Sequence, residues 1–177
     1  MKSLIILAML LLLLIEGPCL KAAETVTNWN WLSFGLFIPQ TNLALGDKIL
    51  ASMVCSNMAG DGHYLYPSHG DPCGPGFGEF LITEISSGKK IECKYPSRDR
   101  MPHSYSLGIL DGHKTRNFEF DLAESYALTN AGAYIIQASG RFATNNLDQK
   151  PDFHFDVVTP PLEILLSSKG ETNALLK

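Results

Sequence analysis

Apolar and polar residues alternate in short runs through most of this chain, with turn residues between them. "WLSFGLFIP" places Leu32, Phe34, Leu36 and Ile38 on one side of an extended segment, which Pro39 ends. After the Gly46-Asp47 turn, "KILASMVCS" sets Ile49, Ala51, Met53 and Cys55 on one face, so the cysteine points with the core side of its strand. "GEFLITEI", the turn "SSGK" and "KIECKY" read as a hairpin with Ile91, Cys93 and Tyr95 in phase on its second arm. In "HSYSLGIL" the residues His103, Tyr105, Leu107 and Ile109 alternate. The alternation is strict in "NFEFDL", where Phe118, Phe120 and Leu122 oppose Asn117, Glu119 and Asp121. "AYIIQAS" adds a face of Tyr134, Ile136 and Ala138, and "DFHFDVV" one of Phe153, Phe155 and Val157. Pro160 and Pro161 stop that strand, leaving "LEILL" as a short apolar coda before a polar tail, residues 167–177.

Short strands, turns at near-regular intervals and no amphipathic helix predict an all-β fold, an antiparallel β-sandwich of about seven strands. One segment breaks the pattern. Residues 57–78, "NMAGDGHYLYPSHGDPCGPGFG", are rich in Gly and Pro and lack periodicity, so a long surface loop is expected there. Long loops in compact domains often carry contacts.

The first residues are of another kind. Lys2 precedes an apolar run from Leu4 to Ile15, which as a helix would span about 18 Å, well short of the ~30 Å hydrocarbon core. Gly17, Pro18 and the small residues Ala22 and Ala23 follow, the layout of a signal peptide over residues 1–23. Pro18 before Cys19 and Glu16 three residues before it make a poor lipobox, so a lipoprotein is not expected. Secretion or periplasmic export of a sandwich over residues 24–166 is, with the membrane met only through the signal segment if it stays uncleaved.

The formal charge is −4 and no basic run is present, which gives no support for nucleic-acid binding. If Cys19 leaves with the signal, Cys55, Cys73 and Cys93 remain, enough for one disulfide in any of three pairings.

The segment "TNAGAY" supplies Asn130, Gly132 and Tyr134 as Asn-x-Gly-x-Tyr. It resembles the tyrosine corner of immunoglobulin-like sandwiches, in which a tyrosine hydroxyl ties a strand start to upstream backbone. Ile136 stands where antibody domains carry the cysteine of the inter-sheet disulfide. The longer stretch "FEFDLAESYALTNAGAYIIQASGRF" is similar to secreted bacterial sandwich domains, among them the non-catalytic amino-terminal part of deuterolysin-type metalloendopeptidases and, more loosely, a bacterial proteinase-inhibitor family. The resemblance implies an immunoglobulin-like fold with structural roles for Asn130, Gly132 and Tyr134; it implies no reaction, because the chain has no His-Glu-x-x-His.

Candidate chemistry concentrates in the 57–78 segment, where Asp61, His63, His69, Asp71 and Cys73 lie close together. Histidine and carboxylate clustering suits zinc or copper, but no helix or strand spacing fixes these residues, so no metal or other cofactor is expected; His63, His69 and Asp71 stand as weak metal candidates. Ser106 and Ser139 sit in strand-like runs and not in a nucleophile elbow. Glu79, Glu84, Glu119 and Asp121 fall on faces read as outward, where carboxylates commonly solvate a sheet. No enzyme activity is expected. The expectation is a secreted, non-catalytic binding or structural module whose contacts with a protein partner are made by His63, Tyr64, Tyr66, His69 and Phe77. Its alternative is a proteinase inhibitor or pro-domain-like regulator acting on an extracellular protease.

Overall fold

The computed structural model describes residues 22–29, 31–60, 63–67, 77–94, 107–145 and 154–168. Residues 1–21, most of the segment expected to be a signal peptide, and residues 169–177 lie outside the described residues. No helix among the described residues is long and apolar enough to cross a membrane.

Among the described residues eleven strands form two sheets. The first sheet has the order β1 (Ala23–Trp29), β2 (Leu32–Ile38), β4 (Leu50–Asn57), β8 (Thr115–Asp121), each pair antiparallel. The second is built around β9 (Gly132–Asn145), whose 14 residues are long enough to pair with four other strands. β10 (His154–Val158) and β11 (Leu162–Ser167) follow one another along one edge of β9, while β5 (His63–Pro67) and β6 (Phe77–Glu84) share the other. β3 (Asn42–Ala44) runs parallel to β11, and β7 (Leu107–Leu110) closes the far side against β5.

The alternating faces become the core. Leu32, Phe34, Leu36 and Ile38 from β2, Ile49, Ala51, Met53 and Cys55 at and along β4, and Tyr134, Ile136 and Ala138 from β9 are all buried between the sheets. The core is tightly filled at Gly140, where a Cβ would stand 2.8 Å from Phe142 Cε2 of the same strand and 3.0 Å from Phe34 Cζ of the facing sheet. Those two rings pack edge to face at 5.7 Å, a favourable aromatic geometry.

Several elements differ from the reading of the sequence. "LEILL" is not a coda but β11, a strand between β3 and β9 that buries Leu162, Ile164 and Leu166. The Pro160-Pro161 pair does break the ladder, since proline has no N–H to give, yet Thr159 bridges the break. Its N–H donates to Ala138 O, and its hydroxyl accepts from Ala138 N–H at 2.9 Å. Residues 57–78 are not one loop either, for β5 lies inside them and both ends belong to strands. In β7 the phase is reversed: Leu110 is buried and Ile109 is 50% exposed, because pairing with β5 sets Leu110 opposite the buried Tyr64. His103 and Tyr105 lie outside the described residues, as does Phe153.

The predicted hairpin closes only at its turn. Glu84 N–H bonds Lys89 O and Ile91 N–H bonds Ile82 O, each a rung of the ladder. The next rung in that register would join Phe80 to Cys93. In its place the Tyr126 hydroxyl accepts from Phe80 N–H at 3.1 Å and donates to Phe80 O at 2.9 Å, while Cys93 bridges Tyr126. One side-chain hydroxyl thus satisfies both backbone groups that Cys93 would have served.

Tyr126 is aimed there by a single turn of helix, α1 (Leu122–Ser125). Asp121 caps it, its Oδ1 accepting from Ala123 N–H at 3.1 Å and from Ile49 N–H at 3.2 Å. Asp121 is therefore a cap and a tie to β4, more than a solvated carboxylate. Glu84 also departs from its outward reading: it is buried, and its carboxylate accepts from the Ser87 hydroxyl at 2.5 Å.

Candidate functional site

The strands β1, β4 and β7 all end at one pole of the sandwich, and their turns are knitted together there. Trp31 occupies the turn between β1 and β2, and its carbonyl accepts from Met58 N–H at 2.6 Å. The Trp31 backbone also hydrogen-bonds the hydroxyl of Tyr64, whose burial raises its pKa. At the end of β4 the buried Asn57 donates from Nδ2 to Leu110 O at 3.1 Å and accepts from Ala59 N–H at 3.0 Å.

The turn from β7 to β8 completes the platform. His113 has a φ of 57°, in the left-handed region, and its N–H donates to Ala59 O at 3.1 Å. Gly112 packs so closely that a Cβ would meet the carbonyl oxygens of Ala59 and Gly60 at 2.8 Å. Only glycine allows that approach. Above this pinned backbone two large apolar side chains stay in water: Trp31 is 65% exposed and Met58 59% exposed.

The residues expected to make contacts are placed as follows. Tyr64 lies in β5 but is buried, its ring facing the core, so it supports the platform and does not offer a free contact surface. His63 and Tyr66 are in β5 and Phe77 begins β6; their side chains lie outside the described residues, as do His69, Asp71 and Cys73. Among the described residues no group of three His, Cys, Asp or Glu could hold a metal ion. Neither Trp31 nor Met58 stands among the expected contact residues, although the Trp29 and Trp31 pair reads in the sequence either as a sugar-stacking or partner platform or as packing over the end of the sandwich. A tryptophan in a turn two residues from another tryptophan was a signal; Met58, at the end of an apolar strand, gave none.

The corner residues sit at the other pole. The Tyr134 hydroxyl donates to Asn130 O at 2.8 Å, and Gly132 has a φ of 153°, which favours glycine. Burial, and then the negative charge of Glu84, push the Tyr134 phenol above its ordinary value.

Cys55 is free and buried in the core, so the predicted disulfide does not include it. It sits on the inward face of β4, opposite Phe34 in the register of β2. Burial pushes its thiol from 9.0 up to about 12, against a smaller lowering by Arg116. The neutral thiol is favoured in the folded state, so this stability is intact below pH 9 and is lost as pH rises towards 12. Over that window the folding constant should fall about tenfold per pH unit on account of Cys55 alone. Alkaline unfolding curves of wild type and Cys55→Ala, compared by slope and not by midpoint, check this; equal slopes would contradict it.

No protein-family model matches the chain, and no curated protein matches its sequence.

Proposed function

We propose that the chain is a secreted, non-catalytic binding module of immunoglobulin-like topology that engages a protein partner through the Trp31 pole. The topology is supported by strand order. β2, β4 and β8 follow the A, B and E positions of one immunoglobulin sheet, β6, β9 and β11 the C, F and G positions of the other, and β3 runs parallel to β11 beside it. Cys93 is disulfide-bonded, whereas Cys55 is free.

The binding reading rests on one observation: an indole 65% exposed on a turn whose carbonyl is pinned at 2.6 Å. Exposed tryptophan on a fixed backbone loses little entropy on docking and is over-represented among residues that dominate binding energy. Met58 beside it supplies an adaptable apolar neighbour. Trp31→Ala should change stability by less than about 0.5 kcal/mol, as exposed substitutions do, and weaken partner binding by about 2 kcal/mol or more. The measurement is affinity capture from extracellular extract followed by titration of the captured protein against both variants. Equal affinity for wild type and Trp31→Ala would sink the proposal.

A further inference from the structure

The displaced hairpin arm leaves a cleft. Because Tyr126 takes the Phe80 rung, residues 90–93 leave β6 after Ile91 and turn towards α1, where Lys94 N–H bonds Ser125 O at 2.8 Å. Between β6, the arm and Tyr126 lies a cavity of about 510 Å³, within the size range of ligand sites. Its floor is apolar and rigid, since Phe80, Ile82 and Tyr126 are all buried and Phe80 and Tyr126 pack edge to face. Its rim is charged: Glu79 from β6 and Glu92 from the arm face the space with Lys90. Two carboxylates and one ammonium leave a net charge of one negative, the same sign as the whole chain.

We propose that this cleft docks an extended peptide bearing basic side chains, at a site separate from the Trp31 pole. The walls are themselves extended chain, β6 on one side and residues 90–93 on the other, a shape suited to a third extended segment. A lysine or arginine side chain matches the lining. Its apolar stem lies along the exposed Leu81 and the partly buried Ile91, and its cationic head reaches the Glu79 and Glu92 carboxylates. An acidic peptide would meet the excess negative charge.

The test uses two fluorescein-labelled hexapeptides, Lys-Val-Lys-Val-Lys-Val and Glu-Val-Glu-Val-Glu-Val, titrated with the purified protein by fluorescence anisotropy. The lysine peptide should bind saturably and about tenfold or more tighter than the glutamate peptide, as expected for two partly shielded charge contacts. Glu79→Lys with Glu92→Lys should remove that preference. Glu24→Lys with Glu119→Lys, the same charge change on exposed positions of the first sheet, should keep it. Equal binding of the two peptides, no saturable binding of either, or an equal loss in both double variants overturns the proposal. Displacement of the lysine peptide by equimolar spermidine would also overturn it, because the site would then select a free amine and not a peptide.

Discussion

Tyr126→Phe should destabilise the protein by about 3 kcal/mol, although it removes a single oxygen. The phenyl ring can keep its edge-to-face contact with Phe80, so little apolar packing is lost. What goes is the hydroxyl that pairs both Phe80 backbone groups, held at 3.1 and 2.9 Å in a buried setting. A buried donor or acceptor left unpaired costs about 1–3 kcal/mol, and here one substitution strands one of each. The cost would be smaller if the arm swung back and Cys93 resumed the vacant rung. Backbone entropy and the bridge between Cys93 and Tyr126 oppose that return. Urea unfolding gives the free energy, and amide exchange at Phe80 reports the rung itself. A loss below about 0.5 kcal/mol, the scale of an exposed substitution, with Phe80 still protected would mean that the hydroxyl is not the strand substitute described above.

Gly140→Ala is expected to cost about 1–3 kcal/mol, the usual penalty for an extra carbon in a filled core. The new methyl would lie 2.8 Å from Phe142 and 3.0 Å from Phe34. Both rings are fully buried and lock each other at 5.7 Å, so neither can swing aside into solvent. A second substitution separates crowding from the intrinsic propensity of glycine, since alanine by itself favours a strand no less than glycine does. Phe142→Leu in the Gly140→Ala background should cost less than the sum of the two single changes, because the smaller side chain makes room for the methyl. Strict additivity in urea unfolding would show that the close approach at Gly140 is not what limits the site.

Much of the sandwich was legible from the chain. The inward faces of β2, β4 and β9 were readable residue by residue because a strand alternates with period 2, and a sheet with one buried face must repeat that period in its side chains. The strands that escaped reading did so for specific reasons. β5 is five residues long within a Gly- and Pro-rich segment, too short for alternation to stand out. β11 follows two prolines that normally end a strand, and only the Thr159 bridge across to Ala138 lets pairing along β9 resume. In β7 the phase was misread because four residues carry little periodicity, and the partner strand decides which side faces in.

The candidate sites were less legible still. Tyr64 was readable as a contact residue by its type and its loop-like surroundings, yet the strand it joins turns it inward. Trp31 and Met58 are 27 residues apart in the chain and meet only because β1–β2 and β4 end at the same pole. Glu79 and Glu92 come to one cleft because Tyr126, from a third segment, separates β6 from its own hairpin arm.

The order of hydrophobic and polar residues by itself determined that the chain is built of strands and which face of the longer ones is buried. That information is local, carried by side-chain alternation along each segment. Which strands pair, that β9 carries four of them, where Tyr126 takes over a backbone rung and which aromatic rings remain in water were decided only in the tertiary structure. Those outcomes depend on competition between distant groups for the same backbone donors, acceptors and core volume, and no single segment encodes the result of that competition.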